Sequence, residues 1–165
     1  MSRKRTMHWK VRMQFLSRVE VFADLGRRDF KALAKSCTEA VYQDGEALCR
    51  QGERGVTAFI LISGEVTVEN ETGDGEIVTV AELGQGAIVG ELSIIDGAER
   101  VATVRARGEV EALVLTQWSM IALLKSRPSI AVAMLPVIVA RFRDTAQDLL
   151  RRDNESEQGR KSVYQ

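Results

Sequence analysis

Large apolar side chains near the N-terminus recur at a helical spacing. Phe15, Leu16, Val19 and Phe22 follow one another every three or four residues, until a break at residues 24–26. A second amphipathic run begins near Asp29 and places three apolar side chains on one face: Phe30, Leu33 and Ala34. The pattern predicts two helices between residues 13 and 36.

From Thr38 to Thr116 the pattern changes to short apolar runs separated by turns that contain glycine. We expect a tight hairpin at Ser63-Gly64-Glu65, and turns at residues 44–45, 72–75 and 107–109, since glycine and Asp-Gly pairs are typical of turns. About eight antiparallel strands with turns at this spacing favour a jelly-roll, or double-stranded β-helix. The fold class is therefore mainly β with α, with the β-roll at about 38–116.

Beyond the β-roll the pattern becomes helical again, at about 117–152. A short helix ends near Arg127-Pro128, and a long one covers 130–152 with Pro136 inside it. Five positions of the long helix step by 3, 4, 3 and 4 residues, the spacing of a coiled-coil seam: Leu135, Ile138, Phe142, Thr145 and Leu149. The seam predicts a possible homodimer through this helix, and the polar residues 153–165 predict a flexible tail.

Charge is unevenly distributed although the formal net charge is zero. Residues 1–12 hold five Lys or Arg and no acid, which predicts a basic flexible leader before a domain at 13–152. Residues 13–140 hold twelve basic and eighteen acidic side chains, so we expect no specific nucleic-acid binding. The longest apolar run has eleven residues, and we expect no membrane association. Two cysteines do not make a disulfide framework, which favours the cytoplasm.

The composition disfavours catalysis. A metal-dependent enzyme on a jelly-roll usually needs two or more histidines, and the chain has one, His8. Cys37 and Cys49 lack further ligands nearby and are typical of core cysteines. We find no nucleophile, base and orienting acid at a recognisable spacing, so we expect no enzyme, no metal and no cofactor.

The stretch from Gly84 to Ala106 holds the strongest candidate binding chemistry. Its four glycines suit positions with positive φ or close approach of a ligand to the backbone. Glu91 is an acceptor suited to a sugar hydroxyl, and Arg100 is a donor suited to a phosphate. A short helical turn between them offers backbone N–H groups without intrahelical partners.

This stretch resembles the phosphate-binding cassette of cyclic nucleotide-binding domains. The matching segments are Val89-Gly90-Glu91-Leu92-Ser93 and Arg100-Val101-Ala102-Thr103-Val104. Val89 replaces the usual aromatic residue, and Val101 replaces a small or hydroxyl residue beside the phosphate. A second segment, Arg141-Phe142-Arg143-Asp144-Thr145, resembles the lid helix of the catabolite-activator branch, whose threonine faces the adenine amino group. The resemblance covers roughly residues 15–150.

The resemblance implies a free-standing, single-domain sensor that binds cyclic AMP and signals by movement of its terminal helices to an unknown downstream protein. The residues implied to contact the ligand are Ala81, Leu83, Gly90, Glu91, Leu92, Ser93, Arg100, Val101, Ala102, Arg141 and Thr145. We expect cyclic GMP to bind more weakly, because Val101 lacks the hydroxyl that meets the guanine amino group in relatives tuned to cyclic GMP. The alternative is a degenerate fold that serves as a nucleotide-independent interaction scaffold.

Overall fold

The computed structural model describes residues 7–162, with the backbone alone described from residue 152 onward. Within this range the chain forms six strands, five α-helices and one short 3₁₀ turn at Glu20–Phe22. The N-terminal part contains α1 (Trp9–Leu16) and α2 (Arg27–Ser36). The sheet region contains β1 (Thr38–Tyr42), β2 (Ala47–Cys49), β3 (Thr57–Glu71), β4 (Ile77–Leu83), β5 (Ile88–Val89), α3 (Glu91–Asp96) and β6 (Thr103–Thr116). The chain continues with α4 (Gln117–Ser126) and α5 (Pro128–Ser162).

The strands form one antiparallel sheet in the order β1-β6-β3-β4, with β2 paired to β6 and β5 paired to β3. Helices flank the sheet in sequence on both sides, as the hydrophobic pattern predicted. The turns predicted at 44–45 and 72–75 separate β1 from β2 and β3 from β4. The described residues contain six strands rather than the predicted eight.

Two glycines explain the lower strand count. Strand β3 runs through Gly64 and β6 runs through Gly108, so the hairpin predicted at 63–65 and the turn predicted at 107–109 are corrected. Both glycines have positive φ (+84° and +74°), and the pairing register of β3 with β6 shifts on either side of Ser63. A Cβ atom at Gly64 would lie 2.3 Å from the Glu109 carbonyl oxygen. Gly64 and Gly108 therefore allow the paired strands β3 and β6 to bend close to each other, and the chain does not reverse direction at either glycine.

The core consists of two clusters. One packs the N-terminal and C-terminal helices onto the sheet and includes Leu16, Phe22, Leu33, Leu115 and Ile130, all buried. The other lies within the roll and includes Phe59, Leu61, Val66, Val110 and Ala112. Strands β3 and β6 contribute side chains to both clusters. They therefore connect the packing of the helices to the packing inside the roll.

Helix α1 begins at Trp9, inside the segment that we predicted as a flexible leader. Arg12 links this segment to the rest of the fold: it pairs with the buried carboxylate of Glu39 and donates to the carbonyl oxygens of Ala34 and Cys37. One basic residue of the supposed leader is thus a buried link between α1, α2 and β1. Residues 1–6, with the other arginines of the leader, lie outside the described residues.

Helix α5 is longer than predicted. It begins at Pro128, because proline is well suited to the first helical turn, and its backbone remains helical to Ser162 through most of the predicted tail. Residues 163–165 lie outside the described residues.

No single helix in the described range is long and apolar enough to cross a membrane. Helices α4 and α5 together would be so by length and composition alone, but they meet at an angle of 115°.

Candidate functional site

Helix α3 is held between two left-handed glycines. Gly90 precedes it with φ +79°, and Gly97 follows it with φ +73° and donates its N–H to the Ser93 carbonyl. The positive φ values let the chain enter and leave this short helix abruptly. Glu91 and Ser93 on α3 are consequently buried, whereas Leu92 is exposed.

The Arg100 side chain is buried and braces the loop before α3. Its Nη1 donates to the Gly90 carbonyl at 3.0 Å, and its Nη2 donates to the Thr57 hydroxyl at 3.1 Å and to the Thr57 carbonyl. A Cβ atom at Gly90 would lie 2.4 Å from Nη1, so this approach requires glycine. The Nε hydrogen and one Nη1 hydrogen have no partner among the described residues.

The Glu91 carboxylate is buried beside a guanidinium from a distant helix. Arg141 on α5 places Nη1 2.5 Å from Glu91 Oε1 and also donates to the Ile88 carbonyl. Among the described residues, no well-aligned hydrogen bond reaches either Glu91 oxygen, and the carboxylate is compensated only by this close contact with Arg141 and by its own backbone N–H. Burial raises the pKa of Glu91 above its ordinary value of 4.5, and Arg141 and Arg100 offset part of the rise.

These groups surround one open pocket, whose empty space of about 420 Å³ includes solvent at its mouth. Nine residues predicted for the site line it: Leu83, Gly90, Glu91, Leu92, Ser93, Arg100, Val101, Ala102 and Arg141. Ala81 and Thr145 do not line it, and the Thr145 hydroxyl donates to the Arg141 carbonyl at 2.9 Å. The remaining wall is apolar and comes from Cys49, Val68, Val89 and Val104.

Sequence reasoning missed two features of this pocket. Thr57 holds the Arg100 guanidinium, but a threonine at the start of a strand carries no sequence signal of that role. The side chains of Cys49, Val68 and Val104 form an apolar wall, and alternation along β2, β3 and β6 could have placed them on the inner face. No group of three or more His, Cys, Asp or Glu side chains suited to a metal ion occurs within the described part of the chain.

The model of the cyclic nucleotide-binding domain matches residues 39–127, which is more than half of the chain and includes the cassette. The chain belongs to the cyclic nucleotide-binding domain family. This is a regulatory, ligand-binding family rather than a catalytic one, and the family resemblance of the cassette is confirmed.

Among curated relatives, the cAMP-dependent protein kinase regulatory subunit of Mycosarcoma maydis is 36% identical over 110 residues, covering 67% of this chain and 20% of the relative. The CRP-like cAMP-activated global transcriptional regulator of Mycobacterium tuberculosis is 27% identical over 136 residues, covering 82% and 61%. This chain thus spans between one fifth and about three fifths of the length of these relatives.

A solved cyclic nucleotide-binding domain from Methylobacillus flagellatus has a TM-score of 0.73 to this chain at 25% identity. The match covers 87% of this chain and 83% of that one, so it includes flanking helices as well as the sheet. The antiparallel sheet with helices before and after it is therefore the fold of this family.

Proposed function

We propose that this cyclic nucleotide-binding domain is a non-enzymatic sensor that binds cyclic AMP in the pocket between α3, β6 and α5. The observation that carries the proposal is the buried Glu91 carboxylate in the pocket wall, which among the described residues is compensated only in part, by Arg141 of α5 and by its own backbone N–H. Burial of a charged acceptor with incomplete hydrogen bonding is costly, and a ribose hydroxyl entering the pocket would supply a further donor.

The phosphate would bind to Arg100. Its guanidinium is fixed by Gly90 and Thr57, and the remaining Nε and Nη1 hydrogens are available to a ligand. Charge-assisted hydrogen bonds in a shielded site are strong, and a braced guanidinium loses little conformational entropy on binding. The backbone N–H groups near Leu92, Ser93 and Val101 would complete the shell of the phosphate oxygens.

Arg141 would connect binding to signalling. It belongs to α5 and touches the cassette at Glu91 and at Ile88. A ligand that forms a hydrogen bond with Glu91 would alter the ion pair between Glu91 and Arg141. It would therefore change the relative free energies of the different positions that α5 can adopt. We infer that cyclic AMP shifts the population of α5 positions and so alters contact with a downstream protein in the cytoplasm.

The base would be selected next to Val101 and α5. Val101 lines the pocket, is largely exposed and offers no hydroxyl to a guanine amino group, which supports a preference for cyclic AMP over cyclic GMP. A contact between Thr145 and the adenine amino group requires a position of α5 other than the one described, since Thr145 lies outside the pocket lining.

A nucleotide-independent interaction scaffold is the second candidate function. Val101 favours it, because an apolar side chain stands directly beside Arg100, where the phosphate would bind. The two candidates differ in one measurable property, which is affinity for the nucleotide.

Calorimetric titration of the purified chain with cyclic AMP and cyclic GMP tests the proposal. Losing a charged hydrogen-bond partner in a shielded site costs about 1.5–3 kcal/mol, and more when the remaining charge is left unpaired, so Arg100→Ala should weaken cyclic AMP binding ten- to several-hundred-fold. Arg100→Lys keeps the positive charge but loses the planar guanidinium that can donate two parallel hydrogen bonds, and this variant should also bind cyclic AMP weakly. Arg107→Ala is the control, since Arg107 is exposed and pairs only with exposed Glu82 among the described residues.

The fold of each variant has to be checked by thermal unfolding, because Arg100 also braces Gly90 and Thr57. If the parent chain binds neither nucleotide, the sensor proposal is wrong and the scaffold is the candidate that remains. If folded Arg100→Ala binds cyclic AMP as tightly as the parent, the assignment of Arg100 to the phosphate is wrong.

A further inference from the structure

Strand β4 forms an open edge of the sheet. In the order β1-β6-β3-β4 it is the last strand, and β3 is the only strand that pairs with it within the described range. The side chains on this edge are apolar and exposed: Ile77 by 63%, Val78 by 40% and Val80 by 55%. The row of backbone N–H and C=O groups on the other side of β4 faces no strand among the described residues.

Such an edge is unusual. Soluble proteins commonly protect edge strands with lysine, proline or a covering loop, since an unprotected edge pairs with other chains. The segment Ile77-Val78-Thr79-Val80-Ala81 contains no lysine or proline, although it has a bulge at Val80, and it consists mainly of β-branched residues, which favour strands. The edge is therefore suited to the addition of a further strand.

The charge around the edge indicates which strand it accepts. Residues 65–82, which make the β3–β4 hairpin, contain six Asp or Glu and no Lys or Arg. Glu76 immediately precedes β4, and Glu82 lies near its end. Glu82 pairs at 3.1 Å with Arg107, but both side chains are exposed, and such pairs contribute little. A strand with basic residues beside Glu76 and Glu82 would be complementary to this edge.

A second copy of β4 is a poor occupant. In a regular antiparallel pair centred on Thr79, Glu76 of each copy would lie opposite Glu82 of the other, and like charges directly opposite are destabilising. The pairing of β4 with β3 also shifts here: Ala81 faces Val68 and Thr79 faces Glu69, so Val80 is a bulge residue. Two bulged strands make an irregular ladder, whereas β3 shows that another strand can follow β4 across the bulge.

We propose that the free edge of β4 binds an extended, basic segment of a partner polypeptide by strand addition. The backbone of that segment pairs with β4, its small or β-branched residues lie beside Ile77 to Ala81, and its Lys or Arg residues meet Glu76 and Glu82. The backbone pairing provides affinity, and the two glutamates select the charge of the partner. Leu83 at the end of β4 lines the nucleotide pocket, but Ile77 to Ala81, Glu76 and Glu82 do not, so the proposed strand addition does not require a bound nucleotide.

Three synthetic peptides test the proposal. The first alternates valine and threonine and has two lysines five positions apart, the separation that places them beside Glu76 and Glu82 when the peptide follows β4 across the bulge as β3 does. The second has glutamate in place of both lysines. The third keeps the lysines but has proline at two central positions, which removes backbone donors without changing charge. The parent chain should bind the first peptide at least ten-fold more tightly than either of the others, and the backbone amides of residues 77–81 should exchange more slowly in the complex.

The double variant Glu76→Lys with Glu82→Lys is the matched test of charge selection. Both side chains are exposed, so the variant should unfold at the temperature of the parent. It should prefer the glutamate peptide to the lysine peptide, the reverse of the parent. Equal binding of the proline peptide would mean that charge alone attracts the probe, and would overturn the proposal.

Two further results would also overturn it. One is the absence of binding by any peptide at millimolar concentration. The other is concentration-dependent protection of residues 77–81 without peptide, which would make a second copy of the chain the occupant of the edge.

Discussion

The three charged side chains at the pocket are compensated to different degrees. Among the described residues, Arg100 donates to two carbonyls and a hydroxyl, and Arg141 to a carbonyl, whereas Glu91 has the contact with Arg141 and its own backbone N–H. Burial of a charge is costly unless hydrogen bonds replace those to water, so the carboxylate is the least satisfied group of the three. A ligand that donates a hydrogen bond to Glu91 would therefore gain more binding free energy than a ligand that donates to an acceptor whose hydrogen bonds are already complete.

The raised pKa of Glu91 predicts a pH dependence of stability. Between the ordinary value of 4.5 and the higher folded value, the folded state binds more protons than the unfolded state, so the free energy of unfolding falls as pH rises through that range. In Glu91→Gln this contribution is absent. Urea unfolding of both proteins at a series of pH values should show the parent losing stability relative to the variant as pH rises above 4.5. If the difference in free energy of unfolding between the two proteins did not change with pH, burial would not raise the pKa of the Glu91 carboxyl.

Val101 should control the choice between the two nucleotides. A neutral hydrogen bond contributes about 0.5–1.5 kcal/mol net, so we expect a preference for cyclic AMP of a few-fold to about ten-fold in the parent. Val101→Thr adds a hydroxyl with almost the same shape and should raise cyclic GMP affinity, with little change for cyclic AMP. Calorimetry with both nucleotides measures this. Tighter binding of cyclic GMP by the parent would contradict the role of Val101, while the assignment of Arg100 would stand.

At the scale of elements, α5 has an exposed apolar stripe that differs from the predicted seam. Of the residues in that seam, Leu135, Phe142 and Leu149 are exposed, whereas Ile138 is half-buried. Val132 and Val139 are exposed and continue the stripe, with steps of 3, 4, 3 and 7 residues: Val132, Leu135, Val139, Phe142 and Leu149. The helix turns its other side, with Ile130, Met134 and Arg141, to the core and the pocket. The dimer remains a proposal, with Val139 in place of Ile138.

Phe142, at the centre of this stripe, should be required for two chains to pair through α5. Phe142 is 74% exposed, and a charge there would oppose its counterpart in a parallel pair. We expect the parent to have the mass of two chains by light scattering at tens of micromolar, and Phe142→Glu the mass of one. Trp118→Glu is the control, because Trp118 is 85% exposed but lies on α4. A single-chain mass for the parent, with and without nucleotide, would contradict pairing through α5.

At the scale of the whole molecule, sequence predicted what depends on local pattern and missed what depends on distant contacts. The helices, the antiparallel sheet and the pocket positions around Gly90 and Arg100 follow from periodicity and from the spacing of one motif. Glycine at position 64 has the same local signal in a hairpin and in a bent strand, and only the approach of Glu109 decides between them. The contact of Arg141 with Glu91 depends on how α5 packs, which no local pattern specifies.

The link between Arg12 and Glu39 is the contact of this kind with the largest expected effect on stability. Both side chains are nearly buried, and Arg12 ties α1 to Glu39 on β1 and to the carbonyls of Ala34 and Cys37. Removing one partner of a buried pair costs about 3–5 kcal/mol, because the other charge stays buried without compensation. Arg12→Ala should therefore lower the free energy of unfolding in urea by about that amount.

The double variant Arg12→Leu with Glu39→Leu separates the charge from the packing. Replacing both charges by apolar side chains is often nearly neutral, so the double variant should recover much of the stability that Arg12→Ala loses. Recovery should be incomplete, because the carbonyls of Ala34 and Cys37 and the N–H of Met7 lose their partners. Gln14→Ala, an exposed position on the same helix, should leave stability within about 0.5 kcal/mol of the parent. If Arg12→Ala matches Gln14→Ala, α1 is not anchored through this pair, and the N-terminal helices are held by apolar packing alone.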